Sequence, residues 1–379
     1  MGEEETKRRP TLPRISVISQ ASSADESPDV TSLQTAILNF DVNRIEELIL
    51  GGLDVTQTYI DSRQYRTALH ELALCYTSYS IYERPTQLNL KFIKIFSLLT
   101  KHGLKVNEGD IKKQTVLHFL SSTSGNSDVI KVVLAAADVR VDATDAIQQT
   151  ALHKAALNAG MADVQTLLDG GASPRVMDGR GYTPVHMAAK KKYNRAMLAT
   201  LVNGGGNVNQ QARGRNMRGP TALHVAAAAG RLENVETLLD LGAETDLVDG
   251  AGQTALHAAA YHDVTGKIVA VLVAAGAKVN AQDELCRDTP LHKAIKRGMV
   301  DNVKHLMHSK ANPNVPDDRS DTPLHKAAAT CFDLFVWTKL MRGGGRPDMK
   351  NRSGYTPMNI ATKSHNHTAA AVMTQYDVR

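Results

Sequence analysis

The sequence predicts an all-α solenoid of about ten helix–turn–helix repeats, joined by β-hairpin or turn tips. The first observation is a short motif, a threonine followed three residues later by a histidine, that recurs at a period near 33 residues. The second is composition: aromatic residues make up only 4% of the chain, while alanine and leucine are frequent, which favours closely packed short helices over a β-sandwich. The third is the length of 379 residues, which suits an elongated array because a stack of repeats is not limited by the size of one core.

Copies of this motif define the repeats. It reads TALH at 67, TVLH at 115, TALH at 150, TPVH at 183, TALH at 221 and 254, and TPLH at 289 and 322, with TPMN at 356. Successive threonines are separated by 48, 35, 33, 38, 33, 35, 33 and 34 residues. With Thr31, which opens an upstream copy, the count is ten, so we expect one array over residues 31–379.

Each letter of a repeat has a structural explanation. The threonine can cap the first helix with its side-chain oxygen, and a following proline suits the first helical position, where its missing N–H would be unpaired anyway. Alanine pairs such as Ala226-Ala227 allow close packing, and leucine pairs such as Leu238-Leu239 place apolar bulk on the buried side of the second helix. One repeat cannot bury its own apolar face, so we expect stability to come from stacking.

The complete unit from Thr221, TALHVAAAAGRLENVETLLDLGA, resembles the ankyrin-repeat consensus T-P-L-H-x-A-A-x-x-G-x-x-x-x-V-x-x-L-L-x-x-G-A. The first and last copies have Gln34 and Asn359 in place of the histidine, which is typical of terminal repeats. The resemblance implies a right-handed stack with hairpin tips on one edge and first helices that line a concave groove. It also implies a non-catalytic protein-interaction scaffold or regulatory adaptor that binds partners through the groove and the tips.

A histidine occupies the fourth position of the motif in eight repeats. In TALHKAAL at 150–157, His153 stands beside Lys154 and three residues after Thr150, a pattern that a general base could use. A catalytic site does not need eight evenly spaced copies of a base. We therefore predict a structural role, in which each histidine hydrogen-bonds its threonine and neighbouring backbone as the resemblance implies. The set is His70, His118, His153, His186, His224, His257, His292 and His325.

The sequence has no motif for catalysis, for a cofactor or for a membrane span. It lacks G-x-S-x-G, protein-kinase and dinucleotide-binding patterns, so we predict that the protein is not an enzyme and needs no cofactor. His365 and His367 could share a metal ion, but no carboxylate or cysteine lies at a supporting spacing, and an exposed terminal helix is the alternative. The three cysteines form no C-x-x-C pair and no run approaches 18 apolar residues, so we expect a monomer in the reducing cytoplasm or nucleus, away from membranes.

Basic residues recur along the first helices, after the motif histidine or at the free end of the helix. In the groove that the resemblance implies, they predict a basic surface for an acidic segment of another protein; a solvated lysine face without a partner is the alternative. We expect replacement of Lys293, Lys296 and Lys326 by glutamate to weaken partner binding and to leave thermal stability nearly unchanged. The set is Lys154, Lys190, Lys191, Lys192, Lys293, Lys296, Arg297 and Lys326. Nucleic acid is not expected as a partner, since the net charge is only +5 and the tips alternate in sign.

A first insertion, within residues 75–89, lengthens the second repeat. Tyrosine offers contact area at little entropic cost, so the tyrosines in and near this segment predict a partner site. A tolerated surface loop is the alternative. The candidate residues are Tyr76, Tyr79 and Tyr82.

A second insertion, QQARGRNMRGP at 210–220, lengthens the hairpin before Thr221. Its arginines are further candidates for partner binding: Arg213, Arg215 and Arg218. This hairpin, the junction NAQDELCRDTPLH at 280–292 and the ending GYTPMNIA look like those of the IκB inhibitors, which retain Rel-type transcription factors. An IκB-like cytoplasmic inhibitor of a transcription factor is therefore the alternative function.

Residues 1–30 predict a disordered arm, because five serines, three prolines and mixed charge cannot form a core. Ser27 precedes Pro28 and could be phosphorylated by a proline-directed kinase. The segment KRRPTLPRISV at 7–17 is similar to the docking peptides that such kinases use. We therefore expect a regulatory tail ahead of the array.

Overall fold

The computed structural model describes residues 28–56, 59–61, 63–79, 87–158, 160–192, 194–213, 218–331 and 333–377. These residues form twenty α-helices and one two-stranded sheet, so the predicted all-α class is confirmed. The first helices of the units are α1 (Pro28–Leu38), α3 (Ala68–Ser78), α5 (Val116–Leu120), α7 (Ala151–Asn158), α9 (Pro184–Lys190), α11 (Ala222–Ala228), α13 (Ala255–His262), α15 (Pro290–Arg297), α17 (Pro323–Thr330) and α19 (Pro357–Lys363). The second helices are α2 (Val42–Leu50), α4 (Leu88–Lys101), α6 (Ser127–Leu134), α8 (Met161–Asp169), α10 (Arg195–Asn203), α12 (Leu232–Asp240), α14 (Lys267–Ala274), α16 (Val300–His308), α18 (Leu334–Arg342) and α20 (His367–Asp377).

The helices stack in two layers. Each first helix packs on the first helix of the next unit, as α11 does on α9 and α13, and each second helix packs on the neighbouring second helices. The core runs continuously between the layers and consists of alanines from the first helices and leucines, valines and isoleucines from both. Since every unit buries its apolar face against its neighbours, the stack has the cohesion that the repeat pattern predicts.

Most first helices begin at the motif threonine, whose backbone is extended, as at Thr221 with φ −83° and ψ 171°. The predicted cap by the threonine side chain is a long contact where it occurs. Oγ1 accepts the backbone N–H three residues on at 3.5 Å in Thr221, 3.4 Å in Thr289 and 3.2 Å in Thr356. After α12, Gly242 takes a φ of +87°, a conformation that glycine adopts without strain.

Tips connect one unit to the next. The first tip contains the antiparallel strands β1 (Tyr59–Asp61) and β2 (Arg66–Thr67); the other tips among the described residues are turns. In seven of the turns described, one side chain accepts two backbone N–H groups, as Asp249 Oδ1 does from Ala251 at 2.8 Å and Gln253 at 2.9 Å. Equivalent side chains are Asp110, Asp145, Asp178, Asp283, Asp317 and Asn351.

Backbone hydrogen bonds also join neighbouring tips. The N–H of Ala146 donates to the carbonyl of Lys112 at 2.7 Å, and the N–H of Glu284 donates to the carbonyl of Ala251 at 2.9 Å. Asp318 and Arg352 repeat the contact further along the chain. The tips are therefore held in a fixed row beside the first helices.

Part of the insertion predicted at residues 75–89 is helical. Residues 75–78 belong to α3 and residues 88–89 to α4, helices of 11 and 14 residues, whereas α5 to α19 have five to nine. Some of the additional residues therefore lengthen both helices. Residues 80–86 lie outside the described residues.

Helix α1 begins at Pro28, three residues before the predicted start of the array. The remainder of the predicted arm, including Ser27, lies outside the described residues. Among the helices described, none has the length and apolar content to cross a membrane.

Candidate functional site

The motif histidine links adjacent repeats. The backbone N–H of Thr221 donates to Nδ1 of His224 at 3.2 Å, so Nδ1 is the acceptor and Nε2 carries the ring proton. Nε2 then donates to the carbonyl of Gln253 in the next repeat at 2.9 Å. The corresponding acceptor carbonyls are Glu108 and Gln114 for His70, Gln149 for His118, Tyr182 for His153, Pro220 for His186, Asp288 for His257, Asp321 for His292 and Tyr355 for His325.

Burial keeps these rings neutral. Desolvation lowers the pKa of all eight motif histidines, against the opposing effect of the accepting carbonyl and nearby aspartates. For His186 and His257 the pKa falls to about 4. Because both nitrogens of each ring already have partners within the stack, neither is available to take a proton from a substrate.

Four lysines of the predicted basic set form ion pairs with tip aspartates of their own repeat. Lys154 lies 2.9 Å from Asp145, and Lys293 lies 2.8 Å from Asp283. The other pairs are Lys326 with Asp317 and Asp321 at 2.7 Å each, and Lys296 with Asp288 at 2.6 Å. Lys154, Lys293 and Lys326 are only 15–16% exposed in their side chains, so these three ammonium groups hold the first helix to its tip.

This arrangement contradicts the expectation that replacement of Lys293, Lys296 and Lys326 by glutamate leaves thermal stability nearly unchanged. Burial by itself lowers the pKa of Lys293, but the hydrogen bond and charge of Asp283 raise it above its usual value. A glutamate at this position would face buried Asp283, which has no other ion-pair partner among the described residues, and buried Asp288, which would keep only Lys296. Thermal stability would therefore fall, and Lys154, Lys293 and Lys326 are not freely exposed contact residues.

Lys190, Lys192 and Arg297 remain exposed, while Lys191 is half-buried. None of these four forms an ion pair with a carboxylate of the described residues. They lie at the free ends of α9 and α15 and in the turn after α9. The unpaired positive charge is thus concentrated near the middle repeats rather than spread along every first helix.

A cavity of about 650 Å³ opens between the tips and the first helices of the middle repeats. We call it the central groove and define it by Arg180, Tyr182, Lys190, Val225, Ala229 and Tyr261. In this region the position after the motif histidine is apolar, Met187, Val225 or Ala258, where the flanking repeats have paired lysines. The floor of the groove is therefore apolar and its rim is basic.

Two tyrosines that sequence reasoning missed form walls of the central groove. The Tyr182 ring stacks on His186 with centroids 5.3 Å apart, and the Arg297 guanidinium lies 5.2 Å from the centroid of the Tyr261 ring. The available signal was positional: Tyr182 directly precedes a motif threonine, and Tyr261 lies in the last turn of α13. Both positions lie beside the surface of the first helices on which the sequence predicted a basic patch.

The arginines of the second insertion differ in their surroundings. Arg218 makes a bidentate pair with Glu284, at 3.0 and 2.9 Å, which connects the long hairpin to a tip two repeats further on. Arg213 is exposed. Arg215 lies outside the described residues.

The tyrosines of the first insertion do not form one surface in the described residues. Tyr76 is 0% exposed, packs against Phe92 with ring centroids 5.0 Å apart, and donates to Asn89 Oδ1 at 2.7 Å. Its prediction as a partner contact is therefore corrected, because the ring is part of the core. Tyr79 is half-buried beside Phe40, and Tyr82 lies outside the described residues.

Within the described ranges, no three histidine, cysteine, aspartate or glutamate side chains come together as a metal-binding group. His365 and His367 thus gain no supporting ligand from the fold described.

Comparison with known proteins agrees with the repeat geometry. A family model described as ankyrin repeats in three copies matches residues 152–249, 185–283, 241–317 and 291–378. The B-cell lymphoma 3 protein homolog of Mus musculus is 36% identical over 164 residues, which cover 42% of this chain and 36% of that protein. SH3 and multiple ankyrin repeat domains protein 2 of Homo sapiens is 30% identical over 208 residues, 55% of this chain and 11% of that protein. E3 ubiquitin-protein ligase KEG of Arabidopsis thaliana is 27% identical over 208 residues, 52% and 13% of the two chains. The matches thus span about a third or less of each relative's length.

Proposed function

Since this chain belongs to the ankyrin-repeat family, we propose that it is a non-catalytic scaffold or regulatory adaptor that binds another protein through the central groove and the adjoining tips. Repeats of this kind generally act by protein–protein interaction, and stacked repeats offer an extended surface for it. The observation that carries the proposal is a cavity with an apolar floor beside two exposed cations that form no ion pair among the described residues: Lys190, which lines the cavity, and Arg297, which lies over the ring of Tyr261 in its wall.

The charge of the groove supports a protein partner with an acidic segment. On the repeats that flank the groove, Lys154, Lys293 and Lys326 are neutralised by tip aspartates, so an acidic segment that approaches this part of the described stack meets uncompensated positive charge mainly at the groove. Such a field increases the rate of encounter with an acidic partner and selects against a basic one.

The test compares two variants of the full chain that change charge equally. Lys190→Glu with Arg297→Glu reverses the groove, whereas Lys267→Glu with Lys304→Glu reverses exposed lysines on the second helices α14 and α16. The melting temperatures of the variants are first shown to match that of the wild type. Each protein is then used to capture partners from the cells that express it, and the partners are quantified by mass spectrometry. We expect the groove variant to lose at least one partner about tenfold relative to wild type and the control variant to retain it. An identical set of partners for both variants would contradict the proposal.

An IκB-like inhibitor of a transcription factor is the second candidate. The long hairpin that suggests it has a defined contact, since Arg218 pairs with Glu284 across the intervening tip. Purified protein added to a Rel-type dimer on its DNA site would release the DNA in a gel-shift experiment if this function is correct. Unchanged DNA binding at saturating protein would exclude it.

Location and assembly stay predictions. We expect a monomer in the cytoplasm or the nucleus, with no nucleic-acid partner and no membrane contact. The proposed regulatory role of the N-terminal arm rests on Ser27 and is tested by mass spectrometry of protein from its own cells. Absence of phosphate at Ser27 under all growth conditions would remove that role.

A further inference from the structure

The central groove combines an apolar interior with a basic rim, and each part limits what can bind there. Its interior is lined by Val225, Ala229 and Ala258 between Tyr182 and Tyr261. The alanines are short, which creates the depth of the cavity, and the aromatic walls offer flat apolar area. A cavity of this size and lining suits a large apolar side chain better than a row of small polar ones.

The rim restricts the charge of the ligand. Arg180 and Lys190 line the cavity without an ion pair among the described residues, and Arg297 reaches its edge above Tyr261. Two further charged residues of the wall have their own partners: Lys293 is paired with Asp283 and Asp288, and Asp249 Oδ1 accepts two backbone N–H groups. Carboxylates on both sides of an apolar residue would therefore meet Arg180, Lys190 and Arg297, none of which forms an ion pair among the described residues.

Resting on the function proposed above, we propose that the ligand of the central groove is a short acidic peptide segment with one large apolar side chain at its centre. The apolar side chain lies between Tyr182 and Tyr261, and the flanking carboxylates contact Arg180, Lys190 and Arg297. An aromatic residue fits best, because both walls present rings for stacked or edge contacts.

The extent of the groove sets the length of this segment. The cavity spans the first helices α9, α11 and α13, and packed helices lie about 8–10 Å apart, so it extends over roughly 20 Å. An extended chain rises about 3.3 Å per residue, which gives a ligand of about six residues. Beyond this length the neighbouring lysines are already paired with aspartates, so additional acidic residues contribute little.

Single-stranded nucleic acid also combines negative charge with aromatic stacking, but the structure favours a peptide. A nucleic-acid groove follows the backbone with a continuous row of cations. Here the lysines on either side of the groove are neutralised, by Asp145 at one side and by Asp283 and Asp317 at the other. The uncompensated charge is local rather than a track.

The experiment uses fluorescence polarisation with the full chain and three labelled probes. The first probe is a seven-residue peptide with a central tryptophan flanked by three acidic residues on each side. The second has alanine at the centre, and the third is an oligothymidylate of seven nucleotides. We expect the tryptophan peptide to bind about tenfold more tightly than the alanine peptide, and the oligonucleotide to bind more weakly than either peptide.

Variants test which residues supply the apolar contact and which supply the positive charge. Tyr261→Ala, at a partly exposed side chain whose loss leaves the core intact, should weaken the tryptophan peptide about fivefold or more and change the alanine peptide little. Lys190→Glu with Arg297→Glu should weaken both peptides, whereas Lys267→Glu with Lys304→Glu should weaken neither. Circular dichroism melting of each variant verifies that it is folded.

Three results would overturn the inference: equal affinity for the two peptides, tighter binding of the oligonucleotide, or no binding of the tryptophan peptide up to about 1 mM. If the groove variant nevertheless loses a cellular partner that the control variant keeps, the scaffold function stands and only this ligand chemistry is wrong. If neither the peptides nor any cellular partner depends on the groove, both proposals fail.

Discussion

At the scale of single residues, the motif histidine is a connector whose neutral form the stack requires. Its Nδ1 accepts from the threonine of its own repeat and its Nε2 donates to a carbonyl of the next, as His257 does from Thr254 to Asp288 at 3.1 Å in each contact. Protonation would add a proton to Nδ1, and the new N–H would point at the backbone N–H of the threonine, which Nδ1 accepts in the neutral ring. The structure therefore couples stability to pH through these rings.

Stability should fall as the pH drops from about 6.5 to about 4, because the folded pKa of His257 and His186 is about 4 against an ordinary 6.5. Above this window the rings are neutral in both states. Within it, the histidines are protonated in the unfolded chain but still neutral in the folded chain. Protons therefore favour the unfolded state, and the free energy of unfolding decreases. The lowered pKa values of Asp145, Asp283 and Asp321 act below this window, under about 3.8.

Urea unfolding midpoints measured from pH 7.5 to pH 4.5 test this coupling. Wild type should lose stability steadily with acid. The variant His257→Ala should be less stable at pH 7.5 by about 2 kcal/mol, because it leaves a buried N–H and a carbonyl unpaired, and its midpoint should depend less on pH. The matched control His262→Ala, on the exposed end of the same helix, should follow wild type. A pH-independent wild-type midpoint would contradict this explanation.

Lys293 was predicted from the sequence to contact a partner, but in the structure it forms ion pairs with Asp283 and Asp288. We expect Lys293→Glu to destabilise the chain by about 3 kcal/mol, since it leaves buried Asp283 without an ion-pair partner among the described residues and adds a negative charge beside Asp283 and Asp288. Lys190→Glu, which makes no ion pair among the described residues, should change stability by less than about 0.5 kcal/mol. Thermal melting of the two variants distinguishes a structural lysine from a surface lysine. Equal melting temperatures would show that the ion pairs of Lys293 contribute nothing.

The position of these aspartates explains why the sequence did not reveal the pairs. Asp145 lies nine residues before Lys154, and Asp283 lies ten before Lys293. That separation crosses the tip and the motif threonine, so no helical or strand periodicity brings the two charges together. Only the turn of the tip folds the carboxylate back over the first helix.

At the scale of elements, the tips form a row whose members are joined by backbone hydrogen bonds, and the long hairpin adds one contact across it. Arg218 reaches Glu284 past the tip at residues 249–252. That intervening tip reads DGAG, and a side chain added at Gly252 would meet the backbone and side chain of Glu284. Small residues there make room for the connection between tips.

A double-mutant cycle of Arg218→Ala and Glu284→Ala measures what this contact contributes. The side chains are 35% and 53% exposed, so solvent screening limits the expected coupling energy to about 0.5 kcal/mol, and salt should reduce it further. The exposed pair Arg195 and Asp240, 3.7 Å apart, is a matched control that should show no measurable coupling. A coupling for Arg218 and Glu284 as small as that control would mean that the hairpin is not held by this pair.

The first insertion shows where element prediction from sequence stops. The excess of residues after Thr67 is visible in the repeat spacing, but spacing cannot say whether the added residues form a loop or lengthen a helix. The apolar spacing of Leu88, Phe92, Ile95, Phe96 and Leu99, all buried in α4, is the helical signal that identifies the second possibility. The ring of Tyr76 is buried because α4 packs on α3 and places Phe92 against it.

At the scale of the whole molecule, the repeated motif was sufficient to predict the stack, because eight of the ten copies have the same threonine and the same connecting histidine. The candidate site depends instead on the differences between copies. Where Met187, Val225 and Ala258 replace the lysine, the groove is apolar, and where the tip aspartates pair with lysines, it is neutralised. These differences are readable in the sequence only after the pairing rule is known from the structure.

Whether the central groove binds the partner is tested most directly by lysine labelling of the full chain, alone and with its captured partner, read by mass spectrometry. If the central groove binds the partner, Lys190 and Lys192 should become protected from acylation in the complex, while Lys267 and Lys304 on the second helices should react as before. Unchanged labelling of Lys190 and Lys192 in a complex that remains intact would contradict the claim that this groove is the binding site.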